Sequence, residues 1–323
     1  MRIHGWKTLI QTTRRARSRF VAGAVILGYH RIAEVAPDTC SNTVSLHNFA
    51  EQLEIIRNRT QPLPISEIVH ALNSGKLPAG AVGITFDDGY ADLLACVKPL
   101  LINRQVPATV FATPGYLGRE FWWEELHRIV YSALWPEELK LLIGERLYRW
   151  TIPEGDRAGT REKIIHRLEV LLEPLSEEQR RNVLDQLRDL FGVVTPPGEI
   201  IRSLTADEIL ELSRDGMIDV GSHSMTHRSL VGLPEYDQQL EIKESRDRLE
   251  AILGRPVSGF SYPHGIFSGE VRARVQQAGY LFACGSNNDV VRRRSDSFHL
   301  PRFWIPDWNG KKFESWLRKW LRV

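Results

Sequence analysis

The chain has 323 residues, 42% of them hydrophobic and 25% charged, with a formal net charge of +2. That balance is ordinary for a globular protein, gives no sign of a nucleic-acid partner, and allows one large α/β barrel or two modest domains. Its three cysteines, Cys40, Cys96 and Cys284, are odd in number and widely spaced, so they suggest neither a disulfide framework nor a zinc knuckle. A reduced, cytoplasmic setting is the expectation.

The N-terminus carries a basic segment, Arg14-Arg15-Ala16-Arg17-Ser18-Arg19, ahead of an apolar run from Phe20 to Gly28. The run is short of the roughly 20 apolar residues that span a bilayer. It also lacks a small-residue cleavage site, despite the twin-arginine-like Thr13-Arg14-Arg15, so Val21–Tyr29 is read as the first core strand. Further strands are predicted at Val82–Phe86, Ala108–Ala112, Ile218–Ser222, Val257–Tyr262, Leu281–Cys284 and Leu300–Ile305. Helical patterns lie between them at Asn48–Arg57, Ser66–Leu72, Asp92–Asn103, Thr205–Ser213, Tyr236–Leu253 and Gly269–Ala278. This alternation predicts an α/β fold with a mainly parallel, closed or nearly closed sheet.

The rhythm breaks between residues 119 and 204, a stretch rich in Arg, Glu and Leu with helical candidates at Glu124–Leu134, Arg161–Glu173 and Glu177–Phe191. It runs out through Pro196-Pro197-Gly198, a natural linker, and is read as a helical insertion on a barrel loop. The expected organisation is therefore a basic segment over 1–20, barrel over 21–118, insertion over 119–204, barrel over 205–309 and an amphipathic helix over 310–323. In that last segment Phe313, Trp316, Leu317, Trp320 and Leu321 share one helical face, with Lys and Arg opposite. Two readings stay open for it: a last helix docked on the barrel, or an interfacial helix touching the inner membrane face.

Several predicted strands end on polar or unusual residues: Tyr29-His30, Asp87-Asp88, His223, Tyr262-Pro263-His264 and Arg302. In α/β barrels functional groups gather at the C-terminal ends of the strands. Alone, an Asp-Asp-Gly is usually a solvated turn and a His-x-x-x-His usually incidental. Together at strand ends they supply a carboxylate and two imidazoles, three donors for a divalent metal with room for water or substrate, and a second carboxylate left over as a base. That is the outline of a metal hydrolase.

Thr85-Phe86-Asp87-Asp88-Gly89 and His223-Ser224-Met225-Thr226-His227 resemble the first two signature motifs of the NodB-homology polysaccharide deacetylases, carbohydrate esterase family 4. Tyr29-His30-Arg31 is similar to the opening strand of many bacterial members. The resemblance covers residues 25–118 and 205–306 and implies a distorted (β/α)7-type barrel that deacetylates N-acetylated sugars with a bound divalent metal, most often zinc. It makes Asp88, His223 and His227 the metal ligands and Asp87 the general base, and it draws a backbone donor for the oxyanion from the Pro263-His264 turn.

The family's third motif usually reads Phe-Arg-x-Pro-Tyr-Gly, whereas this chain has Phe260-Ser261-Tyr262-Pro263-His264-Gly265. The arginine that orients the base is missing there, and Arg302 is the first candidate to replace it. Tyr262, Pro263, His264 and Arg302 are the expected substrate-side residues. The family's terminal Leu-x-His is not evident, so the general acid stays open among His264, His30 and His299. Trp122, Trp123, Trp304 and Trp308 are candidates for a sugar-stacking platform. Two other readings remain: a saccharide-binding barrel without turnover, motivated by the missing arginine and the unassigned acid, and a hydrolase of other C–N bonds.

Overall fold

A computed structural model of the chain describes residues 23–34, 43–132, 138–151, 157–192 and 201–321. The basic segment Arg14–Arg19, Cys40, the Pro196–Gly198 linker and Arg322 lie outside the described residues. Two compact units are present: one joins Met1–Leu117 to Leu204–Val323, and the other is Gly118–Ser203.

The first unit is built on seven short strands: β1 (Gly23–Tyr29), β2 (Ala81–Phe86), β3 (Ala108–Ala112), β4 (Ile218–Ser222), β5 (Gly259–Ser261), β6 (Phe282–Cys284) and β7 (Phe303–Trp304). They run parallel in the order β6-β5-β4-β3-β2-β1, with β7 pairing the other side of β1; two-residue strands add to the sheet at Val291–Arg292, antiparallel to β1, and at Gln61–Pro62, parallel to β2. Just before β7, Leu300 bridges to Cys284 of β6, its N–H donating to the Ala283 carbonyl at 2.9 Å. The last segment therefore touches both edges of the curled sheet. Strands β2 and β3 are buried at every residue, which explains their continuous apolar sequence: helices cover one face and the barrel interior the other.

Strand side chains alternate between the two faces. Ala24, Ile26, Ala81, Phe111, Phe282, Cys284 and Leu300 fall in one buried cluster, and the same alternation carries His30, Asp87, His223, Ser261 and Arg302 onto that interior face at the upper ends. Large and small residues complement each other inside. A Cβ on Gly221 would lie 2.5 Å from the Phe111 ring, and one on Gly28 would lie 2.8 Å from Trp304. The opposite face of the strands packs with helices such as Leu46–Arg59 in the main core, which includes Leu27, Tyr29, Phe49, Leu53, Phe86 and Val110.

The C-terminal helix Gly310–Leu317 belongs to that core. Phe313 and Leu317 are fully buried, and Trp320 and Leu321 nearly so. Trp316 meets Phe303 edge-on at 5.1 Å, and the Gly310 N–H donates to Glu51 Oε2 at 2.6 Å. The amphipathic face is thus spent on the protein's own interior, and this corrects the membrane-contact reading. No helix among the described residues is long and apolar enough to cross a membrane.

The second unit holds helices Trp122–Ser132, Arg157–Leu172 and Glu177–Phe191, but also an antiparallel hairpin, Glu138–Ile143 with Arg146–Thr151. The insertion is therefore mixed α and β, a correction to the helical reading. Leu139, Leu141 and Ile143 alternate with exposed residues, a period of two obscured in sequence by the Leu141-Leu142-Ile143 run. Trp122 is buried beneath the Arg180 guanidinium and Trp123 stacks on Phe121, so both serve as packing anchors.

Candidate active site

Parallel register brings the polar strand ends to one level. Tyr29 lies opposite Phe86, Phe86 opposite Val110, Ala112 opposite Ser222, Ser222 opposite Phe260, and Ser261 opposite Cys284. His30, Asp87 and His223 each directly follow the last residue of their strand, Asp88 comes one residue later, and Arg302 precedes β7.

Asp87 and Arg302 form a buried pair, 2% and 0% exposed. Arg302 Nη1 donates to Asp87 Oδ1 at 2.7 Å and Nη2 to Oδ2 at 2.8 Å, a two-pronged contact only a planar guanidinium makes. The remaining donors are also used: Nε meets the Gly285 carbonyl, Nη1 the Thr85 hydroxyl and Nη2 the Ser261 hydroxyl. Ser261 in turn donates to Asp87 Oδ2 at 3.0 Å. The guanidinium also lies near two aromatic rings, 4.8 Å from Trp304 and 5.6 Å from Phe111. Burial works to raise the Asp87 pKa. The Arg302 charge, with smaller help from His223 and His30, outweighs it and holds the carboxyl well below the usual carboxylate range. The arginine absent from position 261 arrives on the closing strand, and the serine in its place bonds both partners.

Asp88, His223 and His227 form a second cluster, their nearest donor atoms all within 4.8 Å of one another. Asp88 Oδ1 is 3.7 Å from His223 Nε2 and 3.6 Å from His227 Nε2. Donors ~2.0–2.2 Å from a tetrahedral zinc stand roughly 3.3–3.6 Å apart, close to the two Asp88–His distances, so the donor set is of the right kind and nearly the right spacing for such an ion. His223 Nδ1 donates to the Ser261 carbonyl at 2.8 Å, which leaves the Nε2 lone pair facing the cluster. Burial lowers the His223 pKa against the pull of Asp87, favouring the neutral imidazole a metal requires. The backbone here is unusual: Asp88, Ser224, His227 and His264 have φ of 70°, 63°, 60° and 57°. Left-handed non-glycine residues concentrated at one place are characteristic of functional sites.

Of the expected substrate-side residues, only His264 is exposed, its ring 4.7 Å from that of His227. Tyr262 is fully buried, stacks on Phe267 at 4.4 Å and donates its hydroxyl to the Phe298 carbonyl. Pro263 is buried and Arg302 is committed to Asp87, so these three support the site without facing a ligand. The Tyr262, Gly265 and Ile266 amides of the turn donate to the carbonyls of Cys284, Tyr262 and Pro263. His30 stacks on Trp304 at 4.3 Å and feels the charges of Asp87, His223, Arg302 and His264; burial pushes its pKa down to about 4. His299 sits elsewhere, edge-on to Phe267 with Asp296 and Arg272 as its charged neighbours. Trp304 is engaged by His30 and Arg302 and Trp308 by Lys312, so neither is a bare sugar platform.

The polysaccharide deacetylase family model matches residues 74–135 and 186–283, on either side of the middle of the insertion. These two stretches carry a polysaccharide deacetylase domain. Over 95 residues the chain is 38% identical to the poly-beta-1,6-N-acetyl-D-glucosamine N-deacetylase of Escherichia coli K12, covering 29% of this chain and 14% of that protein. The fold is shared with the Streptococcus pyogenes deacetylase PplD, solved in complex with acetate, at TM-score 0.61 and 16% identity over 92% of this chain and 98% of that one. IcaB from Ammonifex degensii matches at TM-score 0.60 and 18% identity, over 92% and 97% of the two chains.

Proposed function

We propose that the protein is a metal-dependent deacetylase that removes acetyl groups from N-acetylated sugars of a polysaccharide, oligosaccharide or lipid-linked saccharide. One observation carries the reading. A cluster of one carboxylate and two imidazoles stands beside a second carboxylate, Asp87, whose Oδ2 lies 3.5 Å from His223 Nε2 and whose orientation is set independently by Arg302. A divalent cation, zinc by the chemistry of the donors, would be held by Asp88, His223 and His227 and would supply Lewis acidity toward water and the acetyl carbonyl.

The remaining work falls to the chain. Asp87, kept ionised by Arg302, accepts a proton from water as the water oxygen bonds to the acetyl carbon. His30, neutral at rest and within the field of Asp87, relays that proton to the sugar nitrogen as the C–N bond breaks, releasing acetate and a free amine. His264, exposed beside His227, contacts the saccharide at the rim. The Arg302 contact also weakens the reading of a barrel without turnover, which rested on the missing arginine and on the unassigned acid.

Bound-metal content by mass spectrometry tests the proposal at its base. About one divalent ion per wild-type chain, lost in the His223→Ala/His227→Ala double variant, is the expected result. No ion in the wild type after reloading with zinc or cobalt would remove it.

A further inference from the structure

The two imidazoles are tied to the same helical segment. Between Glu235–Gln239 and Ser245–Leu253 the helix passes through a π turn, Leu240–Glu244. Such turns are uncommon and recur at functional sites. Glu241, in this turn, is 4% exposed and makes no ion pair with Lys or Arg among the described residues. Its polar atoms go instead to the loop between the histidines. The Met225 N–H donates to its carbonyl oxygen at 3.0 Å, the Thr226 N–H to Oε2 at 2.8 Å, and the Thr226 hydroxyl to Oε1.

The loop needs such an anchor. It bends through left-handed backbone at Ser224 and His227, neither of them glycine, and conformations of this kind persist only where the surroundings over-determine them. Ser224 Oγ accepts from the His227 N–H at 3.0 Å, and the Gly115 N–H donates to the Met225 carbonyl at 2.8 Å. At Gly115 a Cβ would come within 2.3 Å of the Met225 oxygen. Glu241 takes the N–H of that same Met225–Thr226 peptide and of the peptide before it. One turn on, Ser245 Oγ contacts Ser222 Oγ at 2.7 Å, directly before His223.

We propose that Glu241 is a positioning residue, which fixes the Met225–Thr226 bend from its π turn and thereby aims the His227 imidazole at Asp88 and His223. The inference rests on reading those three residues as cation ligands. Groups that orient ligands without touching the metal typically govern about 10–100-fold in metal affinity.

The test is Zn²⁺ affinity by competition with a chromogenic chelator, together with the visible spectrum of the Co²⁺-loaded protein. It compares wild type with Glu241→Ala, Glu241→Gln, Thr226→Val and Thr226→Ser. Expected are a loss of about 10–100-fold in Glu241→Ala, smaller losses in Glu241→Gln and Thr226→Val, recovery in Thr226→Ser, and a shifted Co²⁺ spectrum wherever affinity falls. Should Glu241→Ala not fold, the Gln and Thr226 variants carry the test. Unchanged affinity and spectrum in these variants, alongside lower melting of the metal-free protein, would make Glu241 a merely structural residue and overturn the assignment. A wild type that takes up no ion would overturn the underlying site reading instead, so the two failures are distinguishable.

Discussion

The two halves of the site are held in opposite ways. In the base half, Asp87 and Arg302 satisfy each other through paired hydrogen bonds, and Thr85, Ser261 and Gly285 occupy the remaining donors and acceptors. In the metal half, Asp88, His223 and His227 face one another at separations beyond ordinary hydrogen bonds, on backbone that bends through left-handed conformations. One half is complete as a protein structure. The other holds the three donors proposed for an ion. On the proposed reading, Arg302, just before β7, sets the base, while two of the three proposed ligands, His223 and His227, lie on the loop after β4, so metal affinity and base strength should respond separately to substitution there.

The largest expected separation comes from Asp87→Asn. Loss of a general base costs about 10²–10⁴-fold in turnover, while bound metal should stay at the wild-type level. Isothermal or chelator-competition titration beside a deacetylation assay checks both; loss of metal in this variant would merge the two halves. His30→Ala sharpens the base half. Its deficit should reach about 10²-fold or more on an N-acetyl amide, and shrink strongly on an aryl acetate, whose leaving group needs no proton. Equal losses on the two substrates would remove His30 from proton delivery.

Arg302→Met tests the base half through stability in the metal-free protein. In wild type the depressed Asp87 pKa contributes stability above the unfolded carboxylate pKa, and that contribution is lost only as pH falls through the folded value. Without Arg302 burial dominates and the folded pKa rises above the unfolded one. The variant should then lose stability as pH rises from about 4 toward neutrality, with a deficit of about 3–5 kcal/mol once the buried carboxylate is forced to ionise unpaired. Denaturant titrations at pH 4 and pH 7 read this directly. A pH-independent difference would mean that Asp87 does not depend on Arg302 for its charge.

Much of the barrel was legible because parallel strands buried on both faces are short, apolar and bounded by polar ends, as in Ala108–Ala112 and Ile218–Ser222, where the expected and observed limits coincide. The motif residues were legible because each falls where a strand stops. What escaped depended on long-range contacts. Ser261 reads as a missing arginine, and only the approach of β7 shows it bonding Asp87 and Arg302 together. Pro263 carries family-motif identity and Tyr262 fills the motif's variable position, but both are buried in packing, which no local pattern reveals. Glu241 sits in an ordinary helical pattern, and nothing in its spacing marks the π turn. The C-terminal helix has the composition of an interfacial helix; its Phe313 and Leu317 are buried because Phe303 and the Leu46–Arg59 helix offer a matching apolar surface.

The measurement that tests the central claim most directly is acetate release from N-acetylglucosamine oligomers by protein stripped of metal and then reloaded with Zn²⁺, run beside Asp87→Asn at equal metal occupancy. The account predicts release that requires the reloaded ion and is lost in the variant. Release that persists undiminished in the stripped protein, or in Asp87→Asn, would contradict it.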